Sequence, residues 1–154
     1  MIMYRKAEIS DFEAIHRLNY ETFVEEIPQH PPNPERRLVD KFHEENTYWI
    51  GEADGEVIAM CALRGKRPFS LEQKGVRIPE GNWLEIRLLA VTKPYRRNRT
   101  FAGLMRAVID DATERDVDGI VISGTTREQV LYRRFGFVPF ADPIGPEEAR
   151  YVPM

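Results

Sequence analysis

The chain has 154 residues, 42% of them hydrophobic and 31% charged, with a formal net charge of -3. That size suits one globular domain spanning 1–154, and the mild acidity excludes a surface built as a continuous cationic field for nucleic acid or anionic membrane. The single cysteine, Cys61, lies within the apolar run 57–63, so neither a disulfide framework nor a thiolate metal site is available. No stretch approaches the roughly 20 apolar residues that span a bilayer, and the expected setting is cytoplasmic.

In chain order, residues 3–8 predict a short first strand. Ser10 and Glu13 have the spacing of a capping box, with Ser10 as N-cap. Phe12, Ile15, Leu18, Tyr20, Phe23 and Val24 then keep an apolar helical face through Glu26, interrupted only by Asn19. Residues 27–34 carry four prolines, which remove donors and fix the backbone, so this stretch reads as a stiff connector. A second helix is predicted over 35–45, with Leu38, Val39 and Phe42 inward. Strands over 47–53 and 56–64 flank Asp54-Gly55, a strong hairpin signal. Residues 65–82, punctuated by Gly65, Pro68, Gly75, Pro79 and Gly81, form a long irregular loop of the kind that often carries function.

Residues 83–91 resume as a strand. Simple alternation puts Leu84, Ile86, Leu88 and Ala90 on one face, and Trp83, Glu85, Arg87, Leu89 and Val91 on the other. From Thr100, the residues Phe101, Leu104, Met105, Val108, Ile109 and Ala112 give the strongest helical periodicity in the chain. Gly119 closes that unit and 119–123 is a short buried strand. Thr125 and Glu128 form a second capping box, for a helix reaching Phe135 with Gly136 as its stop. Residues 137–140 and 151–153 read as final strands.

Between the strand ending at Val91 and the helix starting near Thr100 lie Arg96, Arg97 and Arg99. A helix start offers unpaired N–H groups and partial positive charge, and guanidinium groups beside it make an anion site suited to phosphate. On composition alone a solvated basic loop explains the cluster equally well. Neither a Gly-Lys-Ser/Thr loop nor a Gly-x-Gly-x-x-Gly turn is present. His16 and His43 lack metal-ligand spacing and His30 lies in the proline connector, so no metal is expected.

These residues resemble the GNAT acyl-CoA N-acyltransferases. Leu89-Ala90-Val91, Pro94, Tyr95-Arg96 and Arg97-x-x-Thr100-x-Ala102 are similar to one block of that family, and Tyr132-x-x-x-Gly136-Phe137 is similar to a second. The resemblance covers nearly the whole chain. It implies an α+β fold, with a central mixed, mostly antiparallel sheet of six or seven strands flanked by about four helices. It also implies an N-acetyltransferase moving an acetyl or other acyl group from acyl-CoA directly to a primary amine, without a metal. In that scheme Leu89, Ala90 and Val91 present backbone groups to the pantetheine arm. Arg96, Arg97, Asn98, Arg99, Thr100, Phe101 and Ala102 surround the diphosphate.

Glu85 is then the candidate base, against the plainer reading of a solvent-facing residue paired with Arg87. Tyr132 is the candidate acid at the thioester sulfur, against ring packing on the final strands. Thr100 departs from the family's glycine, and an extra residue separates Val91 from Pro94. A looser similarity, through Phe23-Val24-Glu25-Glu26, the 64–71 stretch and Trp83–Arg87, links the chain to autoinducer synthases and N-acyl amino acid synthases. That similarity admits an acyl carrier protein as donor. The acceptor class is a small-molecule or peptide amine, and a second copy of the chain is left open as a partner. Two non-enzyme readings, an acyl-CoA-binding module and a nucleic-acid-binding domain, compete; the second lacks interleaved exposed aromatics.

Overall fold

The computed structural model describes residues 1–96, 99–125, 129–147 and 150–154. Strands β1 (Met3–Lys6), β2 (Asn46–Ala53), β3 (Glu56–Arg64), β4 (Trp83–Val91), β5 (Gly119–Thr125) and β6 (Tyr151–Pro153) form a mixed sheet in chain order. All neighbours run antiparallel except β4 and β5. The helices are α1 (Phe12–Tyr20), α2 (Ser70–Gln73), α3 (Thr100–Glu114) and α4 (Gln129–Arg134). This is the α+β architecture that the resemblance implies.

Local chemistry explains most boundaries. Asp54 and Gly55 both take positive φ, 51° and 79°, giving the tight turn whose twist matches the β2–β3 hairpin. Entry to α1 differs from the expected cap. The Asp11 carboxylate, not Ser10, accepts the Glu8 N–H at 2.8 Å, and the Arg5 guanidinium fixes Asp11 from β1 at 2.8 Å. Beyond Tyr20 the helix widens into a π-helical turn, Glu21–Glu26, in which Ile27 N–H donates to Thr22 C=O at 2.9 Å. Such widened turns cluster at functional sites.

Residues 35–45 are not the expected helix. Only the 3₁₀ turn His43–Glu45 is helical there, Arg36 has φ 53°, and Val39 is exposed. Tertiary polar contacts override the apolar spacing: Leu38 N–H donates to His16 C=O at 3.0 Å, and Asp40 pairs with Arg87. Residues 137–140 are likewise not a strand. Pro139 has no N–H for a ladder, and Phe140 N–H reaches Pro153 C=O alone. The Thr125–Glu128 capping box falls partly outside the described residues. Gly136, at φ 94°, ends α4 as expected.

The sheet carries two apolar layers. On one face α3 packs through Leu104, Met105 and Val108 against Ala59, Cys61, Leu63, Leu84, Ile86 and Val91. On the other, Ile15 and Leu18 of α1 pack on Tyr48, Ile50, Met60, Ala62 and Ala90. Cys61 is fully buried, and burial pushes its thiol up to about 12. No described helix is long and apolar enough to cross a membrane.

Candidate active site

A bulge in β4 divides that strand into two halves. Leu63 lies opposite Ile86 and Ala62 opposite Leu88, so Arg87 is the extra residue. The insertion swaps the faces. Leu84 and Ile86 share the α3 side with Leu89 and Val91, while Glu85, Leu88 and Ala90 look toward α1 and the 65–82 loop. The simple alternation read from the sequence therefore holds only up to the bulge.

Pairing changes at the same point. Trp83–Ile86 pair with β5 residues 119–122, but beyond Ile122 strand β5 pairs with β6 instead. The second half of β4 keeps only β3 as a partner, so a wedge opens between β4 and β5. Thr92 N–H donates to Ile58 C=O at 2.9 Å, which fixes the hydrogen-bonding phase of the β3–β4 ladder. In that phase the N–H and C=O groups of Leu89 and Val91 point away from β3, into the wedge. The Val91 carbonyl there accepts the Arg96 Nε–H at 2.8 Å.

Glu85 stands at the foot of this wedge and is 2% exposed. It is neither solvent-facing nor paired with Arg87. Its Oε2 accepts Ser70 Oγ–H at 2.5 Å and Ser70 N–H at 3.0 Å. Its Oε1 is buried without a hydrogen-bond partner among the described residues. Nearby cations are committed elsewhere. Arg64, directly across on β3, donates to Glu45 and to Pro68 C=O, both at 2.9 Å, and stacks 3.7 Å over the Phe42 ring. Arg87 pairs with Asp40 at 2.7 Å, and Asn46 also donates to Asp40 at 2.7 Å. Burial would raise the Asp40 carboxyl, but hydrogen bonds from Arg87 and Asn46 outweigh it and hold that group below its ordinary range.

The polar face continues to the His43 ring, whose Nδ1 lies 2.8 Å from the Tyr48 hydroxyl, and to His16, with ring centroids 4.8 Å apart. Burial, reinforced by His43 and Arg37, lowers the His16 pKa. Asp40, Arg64, Ser70 and His43 were not picked out as site residues in the sequence. The available signal was Arg64, a charge closing an otherwise apolar strand. His30 is exposed on the connector.

Tyr132 lies on the opposite side, within the α3 core and 5% exposed. Its ring centroid is 5.8 Å from that of Phe101 and 6.0 Å from that of Phe137. It rests on β5 at Gly124, where an added Cβ would come within 3.0 Å of the ring. Glu85 and Tyr132 thus flank the wedge from the two faces of the sheet.

Above the wedge, α3 begins at the N-cap Arg99, whose side chain does not cap the first N–H groups of the helix. The left-handed residue is Arg99, φ 60° and ψ 16°, whereas Thr100 is already helical and fully buried. The β-branched Thr100 therefore does not occupy the unusual backbone position. Phe101 and Ala102 follow in the first turn, half-buried. Arg97 and Asn98 lie outside the described residues. Arg96 forms a bidentate pair with Glu26 at the end of the π-helical turn, 2.6 Å on one arm. A cleft of about 350 Å³ at this end is lined by Thr22, Glu25, Glu26, Thr92, Lys93 and Arg96, among others. A second, about 400 Å³ and largely apolar, is lined by Trp83, Ile109, Ile120, Phe135, Phe137 and Phe140 with their neighbours. Among the described residues no group of His, Cys, Asp or Glu is arranged to hold a metal ion.

The sequence pattern of the acetyltransferase (GNAT) family matches residues 12–137, and the chain belongs to that family. It is a GNAT-type acyltransferase. Among solved structures, the fold is similar to the CoA-dependent acyl-homoserine lactone synthase BjaI, in complex with SAM and isopentyl-CoA. There the TM-score is 0.85 at 20% identity, covering 99% of this chain and 82% of that one. A Trypanosoma brucei acetyltransferase matches with TM-score 0.68 and 14% identity, over 96% and 99% of the two chains. The aminoglycoside N-acetyltransferase AAC(6')-Iy in complex with CoA matches with 0.67 and 15%, over 94% and 98%. Among curated proteins, none matches the chain's sequence.

Proposed function

We propose that the protein transfers an acyl group from acyl-CoA to the primary amine of a small-molecule or peptide acceptor. The observation that carries this reading is the wedge. The outward N–H and C=O groups of Leu89 and Val91 suit a pantetheine arm laid along β4 like an added strand. The start of α3, from Thr100 through Ala102, where the Arg99 side chain provides no cap, suits the diphosphate, with Arg96 and Arg99 beside it. BjaI and AAC(6')-Iy, both complexed with CoA species, support an acyl-CoA donor.

In this reading the amine reaches the thioester from the α1 face. Glu85 Oε1 takes a proton from the amine as its nitrogen attacks the carbonyl carbon, directly or through one water. An outward N–H in the Leu89–Val91 segment holds the developing oxyanion. The C–S bond breaks as the C–N bond of the amide is completed. The departing thiolate takes the Tyr132 phenol proton, and the products are an amide and coenzyme A. The buried, unpartnered Oε1 is the local support for a base at Glu85.

A longer acyl chain, delivered by CoA or by an acyl carrier protein, is favoured by one further observation, the apolar cleft lined by the starts of β4 and β5 together with Ile109, Phe135 and Phe137. The experiment is coenzyme A release from acetyl-, butyryl- and decanoyl-CoA with ethylamine, putrescine, glycinamide and L-lysine. Decanoyl-loaded carrier protein is assayed alongside by product mass. Amide formation is expected with at least one donor; binding of the acyl-CoAs without any amide product would leave a binding module instead.

A further inference from the structure

The 65–82 loop supplies a side chain that the acyl-transfer scheme leaves out. We propose that Ser70 is a positioning residue for that reaction, holding the Glu85 carboxylate so that Oε1 alone meets the incoming amine. The proposal rests on Glu85 being the base.

Both hydrogen bonds from Ser70, one from the hydroxyl and one from the backbone, end on Oε2. A glutamate side chain turns about three torsions, and this two-point grip fixes the last of them. Ser70 is itself held in place. The flanking Phe69 and Leu71 are both fully buried, in a cluster with Val76, Ile78 and Val121. Arg67 bridges the loop, donating to the Glu72 carboxylate and to the carbonyls of Ile78, at 2.9 Å, and Pro79, at 3.0 Å. Glu72 in turn accepts the Phe69 N–H at 2.9 Å.

No neighbouring charge duplicates this role. Arg64 on β3 is engaged with Glu45, Arg87 on β4 with Asp40, and Arg67 on the loop with Glu72; the residue opposite Glu85 on β5 is the apolar Val121. The other oxygen, Oε1, is buried and unpartnered among the described residues. Nearly all such buried acceptors in folded proteins find a donor. With Oε2 held by Ser70, Oε1 is the carboxylate oxygen left without a protein donor, on the same strand as the open half of β4.

The test compares Ser70→Ala, Ser70→Thr, Glu85→Gln and the Ser70→Ala/Glu85→Gln double variant, with acetyl-CoA and ethylamine. Ser70→Ala is expected to lower kcat about tenfold to a hundredfold, since small displacements of a reacting group cost this much. The KM for acetyl-CoA should stay within about twofold of the wild-type value, because a positioning change acts on turnover rather than on donor binding. Ser70→Thr, which keeps the hydroxyl, restores the rate, and the double variant is no slower than Glu85→Gln. The ¹³C-carboxyl resonance of Glu85 in the folded protein should move in Ser70→Ala and return in Ser70→Thr, a readout independent of turnover. Slow Glu85→Gln beside a Ser70→Ala with wild-type rate overturns the proposal alone, as do additive losses in the double variant. Wild-type turnover in Glu85→Gln overturns the choice of base, and the proposal with it.

Discussion

The two halves of β4 are one strand with two different duties. Trp83–Ile86 all pair with β5, Glu85 and Ile86 with β3 as well, and they carry a buried carboxylate clamped by Ser70; Leu88–Val91 are paired on one side and leave backbone groups facing an opening. One inserted residue, Arg87, separates them and exchanges the faces that their side chains address. The contrast teaches that a strand flanked on both sides can hold a side chain rigidly, while an unpaired strand edge is itself a template for another extended chain.

The contrast can be broken at several points. Glu85→Gln removes the proposed base of the rigid half and should lower kcat by about 10²–10⁴ at unchanged acetyl-CoA affinity, measured by coenzyme A release. Asp40→Ala strands the Arg87 guanidinium at the bulge. Its partner is 5% exposed, and breaking such a pair costs about 3 kcal/mol, read from urea unfolding. Tyr132→Phe keeps the ring packing but removes the proposed proton donor, and should lower kcat by about 10² with little change in acetyl-CoA binding. Gly124→Ala pushes a methyl into the Tyr132 ring and Met154, and should cost about 1–3 kcal/mol of stability.

The smallest effect comes from His16. Its folded pKa lies below the ordinary 6.5 because of burial and of His43, so the unfolded chain takes up the proton first. Stability therefore falls as pH drops below about 6.5, down to the folded value, and is unaffected above that window. Thermal unfolding at pH 7 and pH 5.5 should show a smaller difference in His16→Gln than in the wild type.

Legibility in the sequence follows the range of the interactions. Local signals read correctly: Asp54-Gly55 as a hairpin, the three- and four-residue spacing of α3, and Gly136 as a helix stop. Three features escaped because they are set across the fold. The bulge at Arg87 adds a residue to a strand whose alternation already looked complete. The 35–45 segment has helical apolar spacing, yet His16, Arg87 and Asn46 bind it in an irregular path. Ser70, at the start of α2, meets Glu85 of β4 across a separation of 15 residues that carries no periodic signal. Glu85 was legible as a carboxylate on the central strand, but its burial and its single clamped oxygen were not.

In the proposed complex an acyl-CoA donor completes the open half of β4. Amide hydrogen exchange with and without acetyl-CoA tests it most directly. Slowed exchange at Leu89 and Val91, with Leu84 and Ile86 unchanged, is the predicted result; unchanged exchange at Leu89 and Val91 under saturating acetyl-CoA would contradict it.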